Sequence, residues 1–152
     1  MIVREYAQGD LEACRALFAE LVETHGALYP DVEIGSTFVL EGTVFVAEEG
    51  GRVVGYAALL WHGRRAELEP IAVASAHRGR GVGRALAERV VREAREGGAT
   101  RIFVRPVGRN RDAFAFFHAV GFDVLGRVEL QIDFEPRDRR PGERIGQRDF
   151  RV

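Results

Sequence analysis

The chain has 152 residues, 46% hydrophobic and 30% charged, with a net charge of −1, the make-up of one ordinary globular domain rather than a disordered or collagenous chain. A single cysteine, Cys14, excludes an intrachain disulfide and argues against a structural zinc site. No apolar run approaches the roughly 20 residues of a membrane span and Met1-Ile2-Val3-Arg4 does not open a signal peptide, so the expected setting is cytoplasmic, without a membrane partner.

Ile2 to Tyr6 reads as a short strand. Asp10 then stands as an N-cap for a helix whose apolar residues, Leu11, Cys14, Leu17, Phe18, Leu21 and Val22, repeat with a 3.6 period. Gly26 to Gly35, with Pro30, reads as a loop. Val44 to Ala47 and Val53 to Trp61 form a hairpin about Gly50-Gly51, and His62 to Arg65 turns the chain into a strand from Ala66 to Val73. A glycine-rich loop leads into a helix that Gly97-Gly98 stops. Arg101 to Val104 is a strand, and a helix from about Asn110 to Val120 ends at Gly121. Strands at Phe122 to Leu125 and Val128 to Phe134 are expected to close the sheet. Residues 135–152, rich in Arg, Asp, Pro and Gly, form a charged C-terminal tail or an arm that packs on a partner, outside a single domain over 1–134. Strands in a row, then strands alternating with helices, predict an α/β (α+β) fold, with a mixed sheet of about six to seven strands and helices on both faces.

Charge is unevenly spread. Residues 1–77 carry 5 Arg and 12 acids, residues 78–111 carry 10 Arg and 3 acids, and all 22 basic residues are Arg. The basic segment suits an anionic ligand, and the acidic first half a cationic one. At its start, Arg78-Gly79-Arg80-Gly81-Val82-Gly83-Arg84 joins the strand Ile71-Ala72-Val73 to a helix. Glycines at that junction turn backbone N–H groups towards one point at a helix N-terminus, which favours phosphate. A dinucleotide fingerprint is a poorer match, because Arg84 stands where its last glycine belongs.

Arg78-x-x-Gly81-x-Gly83 after that strand, with Asn110 to Ala113 and Phe116 to Phe122 further on, resembles the two signatures of the GNAT superfamily of N-acetyltransferases. The resemblance spans about residues 1–134. It implies acetyl-coenzyme A in a cleft where two parallel strands splay apart, those ending at Val73 and running from Arg101 to Val104. It also implies backbone pairing of Ile71 and Val73 with the pantetheine, and amides of Arg78 to Arg84 on the pyrophosphate. Asn110 is either a family ligand, a helix N-cap, or both.

Acetyl transfer to an amine requires an ammonium of pKa roughly 10 to lose a proton first. Glu67 and Glu69 are the candidate bases, with a lean to Glu67, which falls where some family members carry a glutamate. Alternation puts both on one face with Ile71 and Val73 unless a bulge intervenes; the plain alternative is a surface pairing with Arg64 or Arg65. The family tyrosine that protonates the departing sulfur corresponds to Phe117, which has no proton to give. His118 should point away round the helix, and Tyr29 and Tyr56 are more distant donors. A non-catalytic acyl-coenzyme A binding or sensing module is therefore the rival to an N-acyltransferase working in a ternary complex. Four dispersed histidines give no metal site, and the Phe114, Phe116, Phe117 cluster reads as core rather than a nucleic-acid platform. A small-molecule or peptide amine is the expected acceptor, entering past Glu23, His25, Tyr29, Asp31 and Glu33, and a homodimer is open.

Overall fold

Alternating side chains build the sheet's two faces. In the computed structural model, which describes residues 1–31 and 37–152, strand β2 (Thr43–Glu49) sends Val44 and Val46 to one side and Phe45 and Ala47 to the other. Helix α1 (Leu11–Leu28) lays Cys14 and Leu17 on the first side, against Val44, Val46, Tyr56, Ala58 and Ala72. Helix α2 (Val82–Glu96) lays Val82, Leu86, Ala87, Val90 and Ala94 on the second, against Phe45, Ala57, Leu59 and Leu68. Each face buries an aliphatic stripe, so the sheet is held from both sides. No described helix is long and apolar enough to cross a membrane.

The central sheet has the order β1-β2-β3-β4-β5, with β1 at Ile2–Glu5, β3 at Arg52–His62, β4 at Arg65–Val73 and β5 at Arg101–Phe103. All pairings are antiparallel except β4 with β5. Helix α3 (Arg111–Ala119) packs Phe116 and Phe117 on the α2 side.

Among the described residues, five strands rather than six or seven make up this sheet. Residues 122–134 are not strands, and Val124, Leu125, Val128, Leu130, Ile132 and Phe134 are exposed. An alternating pattern becomes a strand only against an edge, and the β5 edge is three residues long. The last two strands lie instead in the tail, as a hairpin of β6 (Pro141–Ile145) and β7 (Arg148–Arg151). The tail touches the chain's own β5–α3 connection: Arg111, the first residue of α3, pairs with Glu143 of β6, and Arg109 of the loop donates to the Asp138 carbonyl before the hairpin.

Two local expectations also change. Helix α1 runs to Leu28, so Gly26, Ala27 and Leu28 are helical rather than the start of the loop. The Asp10 carboxylate does not cap the helix. It takes Arg4 Nη1 at 2.7 Å and Nη2 at 2.9 Å and the Ala7 N–H at 2.8 Å, because a 3-10 turn at Gln8–Asp10 feeds directly into α1.

Candidate active site

The glycine loop ends where α2 begins. Gly79 has φ +73° and Gly81, the α2 N-cap, has φ +86°, backbone that a residue with a Cβ rarely adopts. The Ala85 N–H reaches the Gly81 carbonyl at 3.0 Å as the first bond of the helix, so among the described residues the amides of Val82, Gly83 and Arg84 are the unpaired donors of its first turn. Together with the helix dipole they form a phosphate-sized donor set. Gly83 has a second role, since a Cβ there would lie 3.2 Å from the Phe116 ring and crowd the packing of α2 on α3.

The loop's arginines mostly brace the protein. Arg78 Nε donates to the Val73 carbonyl at 3.0 Å, clipping the loop to the end of β4. Arg80 faces Glu49 at 3.4 Å, and Arg84 Nη2 reaches the Ala119 carbonyl at the end of α3 at 3.1 Å. Asn110 caps α3, its side-chain oxygen accepting from the Ala113 N–H at 3.0 Å. Phe117 is buried against Phe116 and Phe122, with ring centroids 5.1 and 5.6 Å away, while His118 is exposed.

A gap opens beside the loop. β4 and β5 pair only at Arg65↔Arg101, Ala66↔Ile102 and Glu67↔Phe103. Beyond that point β4 runs on to Val73 against β3, while the chain after Phe103 leaves strand geometry. Ile71, Ala72 and Val73 thus lie on the stretch of β4 that β5 does not cover, with the glycine loop at its end. The splayed-strand cleft expected from the resemblance has this form.

A bulge separates the faces of β4. Ala57 pairs with Ile71 and Leu59 with Leu68, so Glu69 and Pro70 together oppose Ala58. The extra residue reverses the alternation. Ile71 and Val73 pack on the α2 side with Ala66 and Leu68, and Ala72 on the α1 side, so Glu67 and Glu69 do not share the face of Ile71 and Val73.

Glu67 is fully buried, and neither Arg64 nor Arg65 is its partner. Its Oε2 lies 2.7 Å from His62 Nε2 and its Oε1 accepts from Arg105 Nε at 2.7 Å. Glu69 stands at the surface beside it. Desolvation by its neighbours, then the hydrogen bond and repulsion from Glu67, hold the Glu69 carboxyl above the usual carboxylate range; Arg105 opposes this. Two acids, a histidine and an arginine thus meet where β4 and β5 part. His62 and Arg105 were not singled out from the sequence. The hairpin spacing offers a signal for His62, which pairs with Arg65 and so sits diagonally from Glu67.

The remaining candidates lie elsewhere. Tyr29 accepts the Arg109 N–H at 3.0 Å, and Asp31 binds the same, almost wholly buried Arg109 at 2.8 Å. Tyr56 is buried on the α1 side, and burial pushes its phenol well up. Glu33 lies outside the described residues.

A mixed sheet that splits between β4 and β5, with a glycine-lined helix N-terminus at one end of the gap and two acids at the other, has the fold expected from the resemblance. The chain belongs to the acetyltransferase (GNAT) family, whose model matches residues 11–122. It is 33% identical over 97 residues to N-acetyltransferase family 8 member 2 of Rattus norvegicus, covering 60% of this chain and 43% of that protein. It is also 33% identical over 90 residues to an L-methionine sulfoximine/L-methionine sulfone acetyltransferase of Salmonella typhimurium, covering 56% of this chain and 53% of the relative. The chain therefore spans about half the length of these curated relatives. Among solved structures, ribosomal-protein-alanine N-acetyltransferase from Brucella melitensis superposes with a TM-score of 0.68 at 26% identity, over 83% of this chain and 86% of that one.

Proposed function

We propose that this chain is an N-acyltransferase that moves the acetyl group of acetyl-coenzyme A to a primary amine by direct transfer in a ternary complex. The observation that carries the reading is the gap between β4 and β5, which runs from the amides of Val82 to Arg84 past the uncovered stretch of β4 to Glu67 and Glu69. Those amides fit a pyrophosphate and the open β4 edge fits an extended amide-bearing arm. Acetyl-coenzyme A would supply the activated thioester there.

The rest of the chemistry falls to the chain. Glu69 takes a proton from the acceptor ammonium, a task its raised pKa suits. Glu67, with both oxygens engaged by His62 and Arg105, holds Glu69 and Arg105 in place rather than acting first as the base. The freed amine attacks the thioester carbonyl, the C–S bond breaks, and the sulfur leaves as thiolate or takes its proton from water, since Phe117 offers none. The relatives' printed names, which include acetylation of L-methionine sulfone and of a ribosomal-protein alanine, support an amino group as acceptor.

Release of coenzyme A thiol, followed with a panel of amines, tests the reading. Amine-dependent release is the expected result. Tight acetyl-coenzyme A binding without release for any amine would leave the non-catalytic binding module instead.

A further inference from the structure

Arg105 is built unlike the other arginines near the site. It lies two residues beyond the last β4–β5 pair, where the strands have parted, and its charge acts on both Glu67 and Glu69. Its Nε is fixed on the buried Glu67 carboxylate, and its guanidinium carbon lies 5.8 Å from the centroid of the Phe103 ring. The side chain is nonetheless 68% exposed, and among the described residues neither terminal nitrogen has a hydrogen-bond partner. A guanidinium held at one end, with its fork directed outwards, is pre-organised for a two-oxygen anion.

We propose that the acceptor is an α-amino acid, bound with its carboxylate on the terminal nitrogens of Arg105 and its ammonium against Glu69. This rests on the acyltransferase reading and names the substrate class of that site. In an α-amino acid the ammonium and carboxylate are joined through a single carbon, and the split between β4 and β5 offers an acid, Glu69, and a guanidinium, Arg105, that both neighbour Glu67. A polyamine would set a second cation against Arg105, which costs affinity. The reaction balances. The ammonium gives one proton to Glu69, nitrogen bonds to the acetyl carbon as the C–S bond breaks, and the second N–H proton ends on the coenzyme A sulfur. The products are an N-acetyl amino acid, the free thiol and one proton passed to solvent.

The test compares matched acceptors: L-methionine and L-phenylalanine, their amides, and the corresponding decarboxylated amines, with acetyl-coenzyme A and thiol release as the readout. Wild type should favour each amino acid over its amide and amine by at least tenfold in kcat/KM. In Arg105→Gln that ratio should collapse towards one, and Arg105→Lys should keep part of it; circular dichroism checks that both variants fold. Amides or plain amines turned over as well as the acids, or a ratio unchanged in Arg105→Gln, would overturn the proposal while leaving the acyltransferase reading intact. Thiol release from none of the acceptors, with acetyl-coenzyme A still bound, would overturn both.

Discussion

Replacing Gly81 by Asp, with Gly81→Asn as its neutral isostere, isolates the electrostatic part of the loop's affinity for phosphate. Gly81 sits at φ +86°, and an added Cβ would meet no atom within 4 Å. Both variants lose stability for the same reason, the left-handed backbone, at about 1–2 kcal/mol; Asn and Asp are the side chains that tolerate it best. In a chain of this size that is a shared fall in Tm of roughly 2–8 °C. One charge then separates the two. Taking about 6 Å between the new carboxylate and a pyrophosphate of two charges, in the dielectric of water, repulsion is about 0.7 kcal/mol per charge and about 1.4 kcal/mol in all. Acetyl-coenzyme A should therefore bind the Asp variant about tenfold more weakly than the Asn variant. Calorimetric titration at about 0.01 M salt, where the screening length is roughly 30 Å, should show this, and at 0.15 M, where it is about 8 Å, the difference should narrow. Equal Kd values for the two folded variants at low salt would refute the phosphate site at the α2 N-terminus.

Glu69→Gln should slow turnover more at pH 7 than at pH 9, where free amine is abundant, and should remove the rise in rate that wild type shows through the raised Glu69 pKa. Glu67→Gln removes the neighbouring negative charge, so the same rise should move to lower pH; a wild-type profile in both single variants and the double would end the carboxylate assignment. The raised pKa also sets a stability sign: Glu69 favours folding below its unfolded value of about 4.3, and that preference is lost as pH rises through the higher folded value. Glu69→Gln should accordingly raise Tm at pH 7 and change it little at pH 4. Asp10→Asn should cost about 1–3 kcal/mol in denaturant unfolding, by weakening the Arg4 bridge and the bond to Ala7. Arg4 holds the Asp10 carboxyl below the usual range, so its stabilisation is full above about pH 4 and is lost as pH falls through the lower folded value. An acid transition identical in the variant would show that the bridge contributes nothing.

The parts of this protein legible in its sequence are those set by neighbours along the chain. The period of α1 and the alternation of β2 each depend on a few consecutive residues, and the glycine loop announces itself by spacing alone. The faces of β4 do not, because their phase turns on Ala58 opposing both Glu69 and Pro70, a fact of register between two strands. Arg105 was missed for the same reason. Its bond to Glu67 forms just past a parallel pairing whose strands are joined only through α2. The alternation of Val128, Leu130, Ile132 and Phe134 misled because it describes what a strand would look like, not whether an edge receives it.

Charge is the subtler case. The sequence separates an acidic first half from a basic segment and suggests two open fields, yet folding brings them together. Arg80 meets Glu49, Arg105 meets Glu67 and Arg109 meets Asp31, each pair joining the basic segment to the acidic half. Within and beyond the segment, Arg89 meets Glu93 and Arg111 meets Glu143. Much of the apparent field is thus neutralised inside the molecule. On the proposed reading, phosphate binding would fall to the amides of Val82 to Arg84, whose dipoles do not depend on free arginines, and Arg105 stands out because Glu67 engages only its Nε.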